Sequence, residues 1–334
     1  MRILLSNVGR RGYLVKYFKQ ALAGTGEVWG SDSSPYTPAF QYCDNVILMP
    51  RLESKEYVDK VLAVCINSKI DIIVPLIDPT LEILARHHDK FHSRGIMVVV
   101  SPAKTIEIAF DKYLTYLHAQ KAGIPVPETF TAIDDALKLI ASGKFSWPVI
   151  VKPRKGSASK HVHTCSNEDE LKLAFRTCPG PIIQKFVSGE EYGYDIFCDA
   201  DFKPVSVFCK RKIAMRAGET DKAVSVNDKK LIDLGMEIAK AFPIFGPADA
   251  DVKMDKNGPV LLEINPRFGG GYPCSHLCGA DFPAKLIALR KGQKLSQNIG
   301  NYPAGVFMFK QDEIISFPAE ELKTNANTNN SKIF

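Results

Sequence analysis

ADADVKMDKNGPVLLEINPRFGGG, residues 248–271, decides the fold and points to the chemistry. Side chains of a strand alternate between two faces, so in LLEIN Glu263 and Asn265 share one face and Leu262 and Ile264 the other. ADADVKM alternates the same way and puts Asp249, Asp251 and Lys253 together. Between the two runs, KNG reads as a three-residue loop in which Gly258 takes the positive φ that such hairpins need. That register sets Asp251 opposite Glu263 and Asp249 opposite Asn265, next to Arg267 and the glycines 269–271. Hard oxygen ligands on strands, beside a cation and an open backbone, suit Mg²⁺ carrying a polyphosphate. The alternative is an edge hairpin with a solvated polar face, for which PRFGGGYP is an odd ending.

The chain has 334 residues, 45% hydrophobic and 24% charged, the composition of an ordinary globular protein with room for two or three packed units. No apolar run approaches the roughly 18 residues that span a bilayer. The N-terminus lacks the apolar core of a signal peptide, so a cytoplasmic location and no membrane partner are expected. Eight cysteines are scattered without zinc spacing and read as reduced, mostly buried thiols. The net charge of +6 is modest, and its basic residues do not interleave with aromatics, which speaks against nucleic acid. KPRKGSASK suits a small polyanion better.

Residues 1–100 alternate short apolar strands (RILLSNV, EVWGSD, NVILM, DIIVPL, IMVVVS) with the helical segments GYLVKYFKQAL, KEYVDKVLAVCINS and PTLEILARHHDKF. This βαβ rhythm implies a parallel sheet with right-handed crossovers. SPAKTIEIAFDK reads as a linker into a helix at TYLHAQKAG. From residue 128 the segments become strand-rich, with PVIVKP, HVHTC, PIIQKF, YGYDIFCD, PVSVFCKRK and the opening hairpin. Helices are expected at DDALKLIASG, NEDELKLAF and DKKLIDLGMEIAKAF. The fold class is α/β followed by α+β, ending in a polar, disordered tail at 319–334.

SNVGRRG follows a strand and opens a helix, but Gly9 and Gly12 alone do not make G-x-G-x-x-G. An anion loop facing the substrate or plain fold punctuation fits it better than a dinucleotide site. In VIVKPRKGSASKHV a strand delivers Lys152, and Gly156, Ser157, Ala158 and Ser159 form a loop whose N–H groups can wrap phosphate. A surface hairpin with solvated lysines reads equally well there. In IIQKFVSGEEYGYDIF, backbone groups of Gln184 to Val187 can read an adenine edge and Glu191 can take ribose hydroxyls.

In that order, lysine and small-residue loop, apolar hinge with glutamate, then Asp … Glu-x-Asn-x-Arg, the chain resembles the ATP-grasp superfamily over about residues 1–310. LLEINPR is the most specific string, and the nearest flavour is a single-module protein similar to the carbamoyl-phosphate-synthase group. The resemblance implies a Rossmann-like pre-ATP-grasp domain at 1–103 and a two-subdomain ATP-grasp fold at 104–318, with a small lid at about 115–185 and a C-terminal part at about 186–318. It implies that Lys112 and Lys152 contact ATP phosphates under a lid at 156–159. Gln184, Lys185 and Val187 would line the adenine, Glu191 the ribose, and Asp251, Glu263 and Asn265 would hold Mg²⁺, with Mn²⁺ as a substitute. Arg267, with Lys152, would act on the acylphosphate and its transition state. Lys152 stands where the halves of carbamoyl phosphate synthase carry arginine, and 334 residues are too few for its two modules.

The implied reaction is attack of a carboxylate on the γ-phosphorus of ATP, followed by displacement of phosphate by an amine. Arg211 and Arg216 in CKRKIAMRAGET, with a turn at Gly218, are candidates to bind the acid, and Asp78 and Glu82 in LIDPTLE to bind the amine. Acidic residues stabilising a helix N-terminus explain the latter pair as well. The rivals are a bicarbonate-activating enzyme, a non-catalytic ATP-binding regulatory protein and, at a distance, a dehydrogenase. A homodimer stays open.

Overall fold

The computed structural model describes residues 1–156 and 161–322. Ser157, Ala158 and Ser159, and the tail beyond residue 322, therefore lie outside the described residues. The chain forms two compact units. One takes Met1–Ala103, Asp281–Ser296 and the chain from Gln311 on; the other takes Lys104–Ala280 and Gln297–Lys310. The first unit thus includes residues 281–296, which lie within the block read from the sequence as 104–318. Of the expected disordered tail, Ala319–Glu321 instead forms a short 3-10 turn.

In the first unit β1 (Arg2–Ser6), α1 (Gly12–Leu22), β2 (Glu27–Asp32), β3 (Asn45–Leu48), α2 (Tyr57–Asn67), β4 (Ile72–Pro75), α3 (Asp78–Arg86), α4 (His88–His92) and β5 (Met97–Val98) build a parallel sheet in the order β3-β2-β1-β4-β5. Helices cover both faces of such a sheet, so its strands bury apolar residues on both, and Ile3, Leu4, Leu5, Val28, Ile72 and Val74 are all buried. The helix expected across 79–91 breaks at His87. That imidazole donates Nδ1–H to the Ile83 carbonyl at 2.9 Å, and the His87 backbone N–H turns to Leu84 instead.

The expected linker at 101–112 contains α5 (Ala103–Phe110), whose Ile106 and Ala109, three apart, share a buried face. In the second unit α6 (Lys112–Lys121), β6 (Thr129–Phe130), α7 (Ile133–Ala141), β7 (Val149–Pro153), β8 (His163–Cys165), α8 (Glu168–Thr177) and β9 (Pro181–Lys185) form a small antiparallel sheet, order β6-β9-β7-β8. Val149, Val151, Leu171 and Ile183 pack in its core. Then β10 (Glu191–Cys198), β11 (Pro204–Arg216), β12 (Glu219–Val226), α9 (Lys229–Ala241), β13 (Gly246–Asp255), β14 (Gly258–Asn265) and α10 (Tyr272–Leu277) follow. Next come α11 (Phe282–Arg290), in the first unit, and β15 (Asn298–Ile299) and β16 (Phe307–Phe309), in the second.

The large sheet runs β14-β13-β10-β11-β12-β16, with β15 beside β11. The strand after CKRK continues to Arg216 and returns as β12, a strand absent from the sequence reading, through a turn in which Ala217 and Gly218 both have positive φ. Alternation gives the sheet two unlike faces. Tyr192, Tyr194, Ile196, Val207, Cys209, Ala248, Ala250 and Val252 pack with Leu231, Leu234 and Ile238 of α9. The other face carries Asp195, Lys210, Asp249, Asp251 and Glu263. Asp249 lies opposite Asn265 and Asp251 opposite Glu263, as the sequence register requires.

The route to that register differs. The connecting turn is two residues, Lys256 and Asn257, with Asp255 paired to Gly258, and a bulge between Asp251 and Val252 absorbs the extra residue in β14. The bulge leaves Leu261, not Leu262, in the core with Ile264. All eight cysteines are buried. Among the described residues no helix is long and apolar enough to cross a membrane.

Candidate nucleotide and metal site

Asp111 builds one wall of the site. It caps α6 by accepting from the backbone N–H groups of Tyr113 and Leu114, and it accepts from Arg154 Nε at 2.7 Å. This pins the start of α6 to the exit of β7. Lys112, the first residue of α6, then donates to the Gly156 carbonyl at 2.6 Å and lies 3.7 Å from Glu263. Lys152 on β7 joins the same charge cluster. Burial of its ammonium lowers its pKa to about 8, although the residue as a whole is partly covered; Glu263 and Asp251 work against that shift and Lys112 adds to it.

The carboxylate side is more tightly paired than a solvated edge would be. Lys212 bridges Glu191 at 2.8 Å and Asp251 at 2.6 Å. Lys210 is fully buried against Asp195 at 2.5 Å, and Asp195 also accepts from the Ser275 hydroxyl. Arg267 lies 3.8 Å from Asp249. Burial, and then the neighbouring Asp251 carboxylate, raise the Asp249 carboxyl to about 7 against the pull of Lys210, Arg267 and Lys212. The triple glycine is required by space. A β-carbon on Gly269 would lie 2.4 Å from Asp249 Oδ1, on Gly270 2.8 Å from Glu219 Cβ, and on Gly271 2.4 Å from Lys210 Cε.

The donor set fits a hard divalent cation. Asp251 and Glu263 face each other on neighbouring strands, and Asn265 follows on the same face, so the hairpin presents oxygen donors of the kind that hold such an ion. Among the described residues no three His, Cys, Asp or Glu side chains form a metal cluster by themselves. An ion here would take further oxygens from Asn265 and from phosphate.

Residues 109–271 match the ATP-grasp domain family, and residues 3–99 match the PylC-like N-terminal domain. The chain carries an ATP-grasp domain. It is 28% identical over 202 residues to the carbamoyl phosphate synthase large chain of Pyrococcus furiosus, which covers 56% of this chain and 19% of that one. The chain spans 19 to 37% of the length of the curated relatives it matches. Its fold is similar to the biotin carboxylase domain of Hydrogenobacter thermophilus 2-oxoglutarate carboxylase, solved as a dimer with MgADP and bicarbonate (TM-score 0.74, 15% identity, 92% of this chain and 73% of that one). It is likewise similar to L-amino acid ligase of Bacillus licheniformis (TM-score 0.68, 19% identity, 91% and 77%).

Within this ATP-grasp unit the structure brings Lys112, Lys152, Glu191, Asp251, Glu263, Asn265 and Arg267 onto or against the open face. The hinge segment starts inside the small sheet. Gln184 sits mid-sheet, 5% exposed, paired to both β6 and β7, and its amide donates to Thr129 Oγ1 at 2.9 Å. Lys185 is also paired in β9, with its N–H on the Glu128 carbonyl. The segment beyond the sheet begins at Phe186, where Lys253 lies over the ring and reaches the Val187 carbonyl at 3.4 Å.

The candidate acid-binding arginines are ion-paired within the sheet. Arg211 alternates away from Lys210 and Lys212 and binds Glu190 at 2.9 Å, and Arg216 binds Asp221 at 2.9 Å. Asp78 and Glu82 belong to the first unit, at the start of α3, where Glu82 is bound to Arg86. Sequence reasoning missed Lys210 and Lys212 as site residues. The signal was present: CKRK places both on one face two residues apart, and YGYDIF sets a glycine inside the neighbouring strand.

Proposed function

We propose that this chain is an ADP-forming ligase in which a carboxylate takes the γ-phosphoryl group of ATP and an amine displaces phosphate from the resulting acylphosphate. The observation that carries this is the pairing of Asp251 with Glu263 on a face closed by Lys112, Lys152 and Arg267. Lys112 and Lys152 would bind phosphate oxygens as fixed point charges from α6 and β7. Glu191, at the start of β10, would take the ribose, and Phe186 and Val187 would border the base. Asp251, Glu263 and Asn265 would hold Mg²⁺, or Mn²⁺ in its place, which neutralises polyphosphate charge when bound. Arg267 would stabilise charge developing on the transferred group. Catalysis is then positioning and electrostatics, without a covalent side-chain nucleophile.

Likeness to an amino acid ligase and to a bicarbonate-binding carboxylase domain supports the acyl-activating class, and the acid is proposed as an amino acid or bicarbonate. A cytoplasmic, ATP-supplied compartment and a homodimer belong to the same proposal. The test is ADP release with Mg²⁺ against amino acids, dipeptides and bicarbonate, each with and without an amine. Turnover is expected to require an acid and to fall about 10²–10³-fold or more in Glu263→Gln, the usual cost of losing one such electrostatic contact. Acid-independent ADP release at full rate, or wild-type turnover by Glu263→Gln, refutes the reading.

A further inference from the structure

One ammonium joins two carboxylates that serve opposite ends of the proposed nucleotide. Lys212 binds Glu191, on the ribose side, and Asp251, on the metal side, and it is only 5% exposed. To do so from β11 it must cross β10, which lies between β11 and β13. It crosses over Gly193, which pairs with Lys210 on one flank and Asp251 on the other. A β-carbon there would stand 3.2 Å from Lys212 Cε and 3.4 Å from Lys210 Cε. A glycine inside a strand weakens it unless something needs the room, and here two lysine stems use it. The ammonium lies 2.8 Å from Glu191 and 2.6 Å from Asp251, so it is paired to both carboxylates at once.

We infer that Lys212 is a positioning residue acting as a resident counter-cation, which blocks Asp251 to a bare divalent ion and yields it only to a metal that arrives with polyphosphate. This rests on the reading of the face as a metal–nucleotide site. The reason is charge. A bare divalent cation at Asp251 would meet Lys212 at contact distance, with Lys112, Lys152 and Lys253 close enough to add repulsion. A polyphosphate brings its own negative charge and offers the displaced ammonium a new partner. Metal and nucleotide therefore enter as one ligand, and the order of binding is built into β10 and β11.

The test uses the full chain without nucleotide and Mn²⁺ alone as the probe, followed by electron paramagnetic resonance. Wild type and Lys212→Arg are expected to bind Mn²⁺ weakly. Lys212→Met is expected to bind it about tenfold or more tighter, within the usual range of coupling between two binding events. Adding ATP should then tighten Mn²⁺ binding strongly in wild type and much less in Lys212→Met. A purely structural Lys212 would change the melting temperature and leave Mn²⁺ affinity unmoved, and that result overturns the inference. If Lys212→Met does not fold, Lys212→Gln, which keeps a donor for Asp251 without the charge, carries the same comparison. Because the Mn²⁺ comparison omits nucleotide, a chain that binds no ATP fails a separate titration and is distinguished from failure of the counter-cation.

Discussion

Asp249 shows how single groups on the open face are tuned. Its carboxyl, ordinarily near 3.8, is raised to about 7 by burial and by Asp251. A carboxyl that holds its proton more tightly when folded adds stability in full below the unfolded value, and that contribution fades as pH climbs toward the folded value. Wild-type stability should therefore carry a component that falls between about pH 4 and 7, and Asp249→Asn should flatten it. Thermal melts of both proteins across that window check this; parallel curves would remove the buried-carboxyl assignment. Asp249 was legible as a face residue from alternation alone. Its environment was not, because Lys210, Lys212 and Gly269 come from another strand and a loop.

At the scale of elements, β10 is the organising strand, since both flanking strands deliver charge across it. The register of the β13–β14 hairpin was legible because alternation is fixed by strand geometry, whereas turn length and bulge position depend on backbone detail. Hence Asp251 and Glu263 were placed correctly while Leu261 and Leu262 exchanged roles. Lys210 and Lys212 escaped notice because a charged run reads as a solvated edge until the neighbouring strand is known. The loop before β10 shows the same dependence. Glu190 accepts the Met254 N–H at 2.9 Å, and a β-carbon on Gly189 would overlap the Met254 carbonyl at 1.5 Å. Gly189→Ala must push the 186–190 loop off β13. Nucleotide affinity is expected to drop tenfold or more while the core of α9 and β10 stays folded, as a binding titration beside a circular dichroism melt would show; unchanged affinity would detach this loop from the site.

For the whole molecule, the parallel sheet of the first unit and most strands of the second were readable from apolar run lengths and spacing. Their discontinuity was not. α11 follows the ATP-grasp unit in sequence yet packs on α1, and Arg290 donates to the Gly95 carbonyl and pairs with Asp71. Only tertiary packing assigns that helix. A chain cut after Ala280 should thus lose first-unit stability, with a lower melting temperature and faster proteolysis within residues 1–103; an unchanged first unit would show α11 to be dispensable. The proposed reaction requires direct transfer of the γ-phosphoryl group to a carboxylate. Its most direct test supplies the acid that stimulates ADP release with ¹⁸O in both carboxylate positions and examines the inorganic phosphate. One ¹⁸O delivered to phosphate per ADP formed is the predicted result. Unlabelled phosphate, the product of simple ATP hydrolysis, would contradict it.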